Sequence, residues 1–436
     1  MAVAVEASFL TADNLADDPE VVHPVEVTPQ TVDAPILYSY IDCEPTRTPF
    51  VKRIDMSRKS DATVTTSNNT AASRTSNSLR ILRERVDKLD LQILKFINDR
   101  ASLAVEIGKL KAEQGGEVFS PAREEEVLKN VLDVNTKHEG PLNDVTIRAV
   151  FREIMSGSRA LQKVLKVAFL GPEYSFSHLA AVERFGSSIE FMGVGSIAAV
   201  FEEVDRGHVD FGVVPVENSS DGRIADSLEM FLRMPHMLIC GEVRLPIHHN
   251  LMANCEQQEI RRVYSKPQAL SQCRSWLSKN VPQALLKEVS STADAARLAQ
   301  MEPGAAAVAS RQAAVSYGLR ILFAEIEDSP HNETRFAVIG HQKCGKTGHD
   351  KTAVMFRVAH NPGSLVQALD VFKQNKINLT WIESFPARTS KYEYRFFVDF
   401  DGHADEPKVG RALKALGETC EEVTVLGSFP IATSAG

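Results

Sequence analysis

Several things are scarce in this chain, and each scarcity excludes something. It has six cysteines in 436 residues, Cys43, Cys240, Cys255, Cys273, Cys344 and Cys420, and none of them sits in a CxxC or Cys/His ligand spacing. A disulfide framework and a structural zinc site are therefore not expected, and no metal is. No run of about 18 apolar residues occurs, so no membrane-spanning helix is expected. Basic charge is not in excess: 49 Lys and Arg are well mixed with 57 Asp and Glu, for a net charge of -8. A dedicated nucleic-acid binder would concentrate basic charge on one face, so that class is set aside. Small anionic substrates remain open, because a local cationic pocket fits within an acidic protein. No Lys or Arg precedes Arg47. A secretory signal needs a basic start and a transit peptide is Arg-rich and acid-poor, so a cytoplasmic location is the expectation.

What is present divides into four stretches. Residues 1–77 are first acidic and Pro-interrupted, then rich in Ser, Thr, Asn and Ala, with no sustained apolar period, and read as a disordered extension. Residues 78–163 read as all-helical. Leu82, Val86, Leu89, Ile93, Phe96, Leu103, Ile107 and Leu110 follow the three-and-four spacing of one long helix, which Gly115-Gly116 ends. Ser120 then caps a second helix that has Pro121 in its first turn and runs to about Lys137, and a third spans about Asn143 to Gln162. Three helices cannot bury so long a stripe alone, so an intertwined dimer is expected. Residues 164–342 alternate short strands with helices. The candidate strands are Val167–Leu170, Phe211–Val216, Met237–Val243, Arg262–Tyr264, Ala306–Ala309 and Phe336–Ile339, which predicts a two-lobed α/β unit with mainly parallel sheets. Residues 350–430 read as strand, helix, strand, strand, helix, strand, the ferredoxin-like α+β (βαββαβ) order.

The long helix carries a misfit. Arg100 stands seven residues after Ile93 and seven before Ile107, on the apolar stripe itself. Lys111 lies within about 20° of it on the helical wheel and roughly 16 Å further along, leaving room for a small dianion between two cations. Arg83 is about 80–100° off that direction and joins such a pocket only from a partner helix. Ser158 and Gln162 form an i, i+4 pair on the third helix. The spacing alone leaves a second reading open, in which Arg100 pairs with an internal carboxylate and Lys111 is solvated.

The wording Leu82-Arg83-Glu84, Leu89-Asp90, Arg100, Ala104-Val105-Glu106-Ile107-Gly108-Lys109, Lys111 and Arg123-Glu124 closely resembles the all-helical chorismate mutases over 79–162. That resemblance assigns Arg83 (from the other protomer), Arg100, Lys111, Arg123, Glu124, Ser158 and Gln162 to the pocket. One departure is Ser120, where some members carry an aspartate. The implied reaction is the pericyclic shift of chorismate to prephenate, with no nucleophile or cofactor. Cations hold the two carboxylates, Lys111 and Gln162 meet the ether oxygen as its charge grows, and Glu124 binds the substrate hydroxyl.

Three polar clusters follow strands in the next stretch: Gly171-Pro172 with Ser175-Phe176-Ser177, Glu217-Asn218-Ser219, and Thr334-Arg335-Phe336. With Ser265 and Gln268 they resemble prephenate dehydratase over roughly 164–341. Tyr174 stands where a glycine is usual, and Lys266 where histidine is common. The resemblance implies that Thr334 serves the departing ring hydroxyl while Glu217, Asn218 and Gln268 orient the ring. It also places Ser175, Ser177, Ser219, Arg335 and Phe336 in the site, although on an extended strand Arg335 and Thr334 point to opposite faces. The last stretch resembles the amino-acid-binding ACT domain. Gly363, Ser364, Leu365 and Val366 with Glu383 and Ser384 are then expected to hold phenylalanine at an interface between paired domains, and Phe385 replaces a usual arginine. Two sequence features point elsewhere and are set aside. Gly340 to Thr347 matches a phosphate-binding loop but leads into a strand, and His248-His249 lacks a third ligand. A ligand-sensing protein, the competing reading for a two-lobed unit beside such a domain, leaves the helical cations without a use.

Overall fold

The computed structural model describes residues 67–386 and 394–432. Helix α1 (Ser67–Gln114) is followed by α2 (Pro121–Lys137) and α3 (Asp144–Ala160). α1 begins inside the stretch expected to lack structure, and residues 1–66 of that stretch lie outside the described residues. It ends as expected: Gly115 is left-handed at φ 67°, and the Gly116 N–H returns to the Lys111 carbonyl at 2.7 Å. Glycine adopts that geometry without Cβ strain, so the helix stops there. Ser120 stands at the cap of α2, but its side chain makes no capping bond. Asn143 does cap α3, accepting from the Thr146 N–H at 2.9 Å. α3 stops at Ala160, so Gln162 lies just past its end rather than within it.

The first α/β lobe comprises β1 (Lys166–Leu170), α4 (Phe176–Phe185), β2 (Glu190–Val194), α5 (Ile197–Asp205), β3 (Phe211–Asn218), β4 (Gly222–Arg223), α6 (Ala225–Arg233) and β5 (Leu238–Pro246). The second comprises β6 (Asn250–Ala253), β7 (Arg262–Ser265), α7 (Pro267–Gln272), α8 (Arg274–Asn280), β8 (Leu285–Glu288), α9 (Thr292–Met301), β9 (Ala305–Ala309), α10 (Arg311–Ser316) and β10 (Arg320–Phe323). β11 (Glu333–Gly340) returns to the first lobe and inserts between β3 and β5, giving the order β2-β1-β3-β11-β5. Two chain crossings therefore join the lobes. The second sheet runs β10-β6-β9-β7-β8.

Both sheets are mixed, which corrects the expectation of mainly parallel sheets. β1 pairs parallel with β2 and β3, but β11 pairs antiparallel with β3 and β5. In the second lobe β7 pairs parallel with β8 and β9, while β6 pairs antiparallel with β9 and β10. A strand that arrives from the other lobe, as β11 does, needs no helical crossover and is free to run either way. The strands missed from sequence include β2 and β8, which pair on one side only and are largely exposed, so their residues lack the apolar pattern that marks the buried strands.

The last stretch follows the expected order: β12 (Asp350–Arg357), α11 (Ser364–Gln374), β13 (Leu379–Pro386), β14 (Tyr394–Asp401), α12 (Pro407–Thr419) and β15 (Glu422–Pro430). Its antiparallel sheet, ordered β13-β14-β12-β15, packs Val354, Phe356, Val398 and Phe400 against α11 and α12. The other face, with Ala353, Met355, Phe397 and Phe429, shares one apolar core with the first lobe. The segment Gly340 to Thr347 passes into β12 without a helix, as expected; Lys346 Nζ donates to the Asp405 carbonyl.

Candidate functional site

Two polar constellations form. In the helical region, Arg100 donates to Ser158 Oγ at 2.7 Å, and Ser158 in turn donates to the Ile154 carbonyl. Gln162 packs on Gly108 of α1: a Cβ added there would lie 2.6 Å from Gln162 Cγ, so glycine is what lets the two elements approach. Gln162 Oε1 is buried without a hydrogen-bond partner. Lys111 Nζ donates to the Glu117 carbonyl at 2.8 Å. Burial lowers the Arg100 pKa, Glu124 opposes that shift and Arg123 adds to it, so both residues lie within electrostatic reach of Arg100. Arg123 itself is exposed and pairs with Glu126 at 2.6 Å. Arg83 stands apart, 17 residues or about 26 Å up the helix from Arg100.

Ile97, Arg100, Ala101, Ala104, Val105, Gly108 and Lys111 form the half-covered side of α1. The large apolar residues Leu82, Val86, Leu89, Ile93, Phe96, Leu103, Ile107 and Leu110 are each more than half exposed. Arg100 is therefore accommodated by Ser158 at the edge of the stripe, and the stripe itself is left uncovered by the other described residues.

The second constellation joins the two lobes. Thr334 on β11 is the register partner of Asn218 on β3, and Asn218 Nδ2 donates to Thr334 Oγ1 at 2.8 Å. The same amide reaches Asn332 Oδ1 at 3.0 Å, and Asn332 Nδ2 donates to Gln272 Oε1 at 2.9 Å. Gln272, from the second lobe, also meets His249 Nε2 at 2.9 Å and donates to Asp221 Oδ2 at 2.9 Å. Burial lowers the His249 pKa, so the ring is held neutral. The first loop closes on this cluster: Ser175 caps α4, and Phe176 meets the His249 ring edge-on at 5.7 Å. Tyr174 has φ 65°, the left-handed region that glycine favours. Its N–H donates to His178 Nδ1 at 3.0 Å, and its carbonyl accepts from Ser310 of the second lobe at 3.3 Å.

Several expected site residues lie elsewhere. Arg335 is 5% exposed and points away from Thr334, to Glu242 Oε2 at 2.9 Å and to Asp399 of β14. Its guanidinium lies 5.3 Å from the centre of the Trp381 ring. The cause is strand alternation, as Thr334 and Arg335 are neighbours on β11. Glu217, the register partner of Arg335, shares that opposite face and does not join Asn218. Phe336 is a core residue, 1% exposed. Ser219 clamps the β3–β11 connection, donating to the His331 carbonyl at 2.8 Å and accepting from the Glu333 N–H. Ser265 is buried, donating to the Val308 carbonyl of β9. Ser177 is buried in the first turn of α4, and Gln268 is exposed. Gln272, one turn after Gln268 on the same side of α7, is the amide of that helix that joins the Asn218 cluster. Asn332, Gln272 and His249 were not anticipated, since a lone amide or imidazole in sequence carries no mark of its partners. His248 pairs with Glu327 at 2.8 Å and, among the described residues, no group of His, Cys, Asp and Glu is arranged to hold a metal.

In the last stretch Gly363 precedes α11 with φ 91°, and Val366 is exposed. Arg223 of β4 reaches both Glu383 Oε2 and the Ser384 carbonyl at 3.0 Å. Phe385 is buried in the core shared with the first lobe.

A chorismate mutase type II model matches residues 82–163, and a prephenate dehydratase model matches residues 167–344. The bifunctional chorismate mutase/prephenate dehydratase of Pseudomonas aeruginosa is 42% identical over 361 residues, spanning 81% of this chain and 98% of that protein. The protein of the same name from Aquifex aeolicus is 42% identical over 354 residues, with the same two coverages. A prephenate dehydratase from Arthrobacter aurescens, solved in complex with L-Phe, is similar with a TM-score of 0.57 at 31% identity, covering 62% of this chain and 90% of that one. With two cations, Arg100 and Lys111, on the half-covered side of a long helix and a hydroxyl–amide cluster between two lobes, the chain belongs to the bifunctional chorismate mutase/prephenate dehydratase family.

Proposed function

We propose that the mutase works as an intertwined homodimer or higher homo-oligomer, with residues 78–163 as its domain and Arg83 of one protomer completing the pocket of the next. The uncovered stripe of α1 supports this. Eight large apolar residues more than half exposed are a surface that a second copy would cover, at about 1.5–3 kcal/mol for each side chain fully buried. Arg100, Lys111 and Arg123, with the partner's contribution, hold the two carboxylates of chorismate in the reactive conformer. Lys111 and Gln162 face the ether oxygen as its bond to carbon breaks. Glu124 accepts from the ring hydroxyl.

Residues 164–342 then take prephenate. Asn218 donates to the oxygen of Thr334, which leaves the Thr334 proton free to point at the departing ring hydroxyl. The carboxylate bond breaks, carbon dioxide leaves, and its electron pair enters the ring as the hydroxyl departs with a proton as water. Threonine is a weak acid, so alignment and the gain of aromaticity carry most of the step. Gln272, Asn332 and His249 fix Asn218 in place, and neither half-reaction needs a cofactor.

Residues 350–430 act as an ACT domain that binds phenylalanine at a paired interface, as the L-Phe in the Arthrobacter aurescens structure supports. Gly363, Ser364, Leu365 and Val366 with Glu383 and Ser384 form its site, and inhibition by the end product follows. The Arg223 bridge from β4 to Glu383 and Ser384 gives that site a direct handle on the Asn218 hairpin. A cytoplasmic location fits the five free cysteines among the described residues.

A coupled assay tests this reading. The full chain should convert chorismate to phenylpyruvate, more slowly with phenylalanine present, and sediment as a dimer or larger. Accumulation of prephenate would refute the dehydratase assignment, and a fully active monomer would refute the shared pocket.

A further inference from the structure

Glu124 sits in the first turn of α2, and both of its carboxylate oxygens are taken. Oε1 is held by Arg159 of α3. Oε2 is held at 3.2 Å by Arg184, which belongs to α4 of the first α/β lobe. All three side chains are largely buried, at 14% exposure for Glu124, 6% for Arg159 and 14% for Arg184. The two guanidinium groups also flank one ring, 5.2 and 4.9 Å from the centre of Phe119, and Arg159 donates to the Phe185 carbonyl. A cleft of about 560 Å³ between the helices and the lobe opens on this cluster.

We infer that Arg184, a residue of the dehydratase part of the chain, is a positioning residue for the mutase. It aims Glu124 at the ring hydroxyl of chorismate. The inference rests on the reading of Glu124 as the group that meets that hydroxyl. A carboxylate has about four acceptor sites, so two arginine contacts leave room for a third donor. The alternative partner for a loosened Glu124 is Arg100, which already feels its charge. Without Arg184, Glu124 is drawn toward Arg100 and competes with the substrate carboxylate for it. Arg184 therefore both points the acid and keeps it off the substrate-binding cation, which ties the fitness of one active site to a helix of the other.

The test uses full-length Arg184→Ala, Arg184→Lys, Glu124→Gln and the double variant Arg184→Ala/Glu124→Gln, with KM and kcat measured for both substrates. Arg184→Ala should raise KM for chorismate about tenfold, the scale of one charge-assisted contact, and change kcat by less than about twofold. KM for prephenate should stay at the wild-type value. Arg184→Lys should recover most of the loss, and the double variant should be no worse than Glu124→Gln alone. A wild-type KM for chorismate in Arg184→Ala, beside a raised KM in Glu124→Gln, would overturn the inference and leave the Glu124 reading standing. An unchanged KM in Glu124→Gln would instead remove the reading beneath it. Parallel loss of both activities in Arg184→Ala, without rescue by lysine, would mean that the pair only joins the two parts of the chain, and would overturn the inference as well.

Discussion

Replacing Tyr174 by glycine and by alanine separates what its backbone costs from what its ring contributes. The residue is half-buried, and its ring meets His178 edge-on at 5.7 Å and Tyr317 at 6.0 Å. Each such aromatic pair is worth about 0.5–1.5 kcal/mol beyond area burial. Both substitutions forfeit the two pairs, about 1–3 kcal/mol in all. The backbone separates them. A φ of 65° puts a Cβ against the following carbonyl oxygen at roughly 1–2 kcal/mol, a strain that alanine keeps and glycine removes. Glycine loses about 0.5–1 kcal/mol of that advantage to its greater freedom in the unfolded chain. The backbone bonds to His178 and Ser310 survive in both variants. Glycine should therefore be less stable than tyrosine yet more stable than alanine, by about 0.5–1 kcal/mol. Urea unfolding read by tryptophan fluorescence gives the order directly. Alanine equal to or more stable than glycine would refute the left-handed backbone. Glycine more stable than tyrosine would refute the packing of the ring.

Thr334→Ala should abolish phenylpyruvate formation while chorismate turnover stays within about twofold of wild type, since the Thr334 hydroxyl is bonded within the first α/β lobe, to Asn218; comparable loss of both would point to misfolding. Arg335→Ala leaves Glu242 and Asp399 buried with Lys351 and the more distant Arg244 as the cations that remain beside Glu242, and should cost about 3–5 kcal/mol in denaturant unfolding, the scale for stranding a buried charge; a loss under about 1 kcal/mol would refute the network. Burial lowers the pKa of both His178 and His249 from 6.5, so their neutral forms stabilise the dehydratase loop fully above that value. That contribution is lost as pH falls from 6.5 through the lower folded pKa values, because a protonated His178 Nδ1 no longer accepts from Tyr174. Dehydratase turnover should decline with acid before mutase turnover does, and coincident pH profiles would count against it. Leu89→Glu on the open face of α1 should shift the assembly toward monomers in sedimentation and lower mutase activity with it, whereas an unchanged assembly would remove the stripe as the contact.

The sequence was most legible where one periodic rule governs many residues. The long helix, its glycine stop and the alternation that turns Arg335 away from Thr334 all follow from geometry that a single element contains. Pairing across the chain was far less so. β11 belongs to the first sheet although its strand follows the whole second lobe, and nothing in Glu333–Gly340 announces that it runs antiparallel to β3. The site inherits this limit. Thr334 and Asn218 were nameable because their motifs resemble a family, whereas Gln272, Asn332 and His249 acquire meaning only once the two lobes face each other.

Glu124 makes the same point from the other side. Its position in the motif marked it for the substrate, but its arginine partners lie 35 and 60 residues away, in different parts of the fold. A residue assigned to one active site is thereby held by a helix of the other. The helical region and the first α/β lobe share a buried charge cluster as well as a chain, so the boundaries drawn from sequence mark where composition changes and not where side-chain contacts stop.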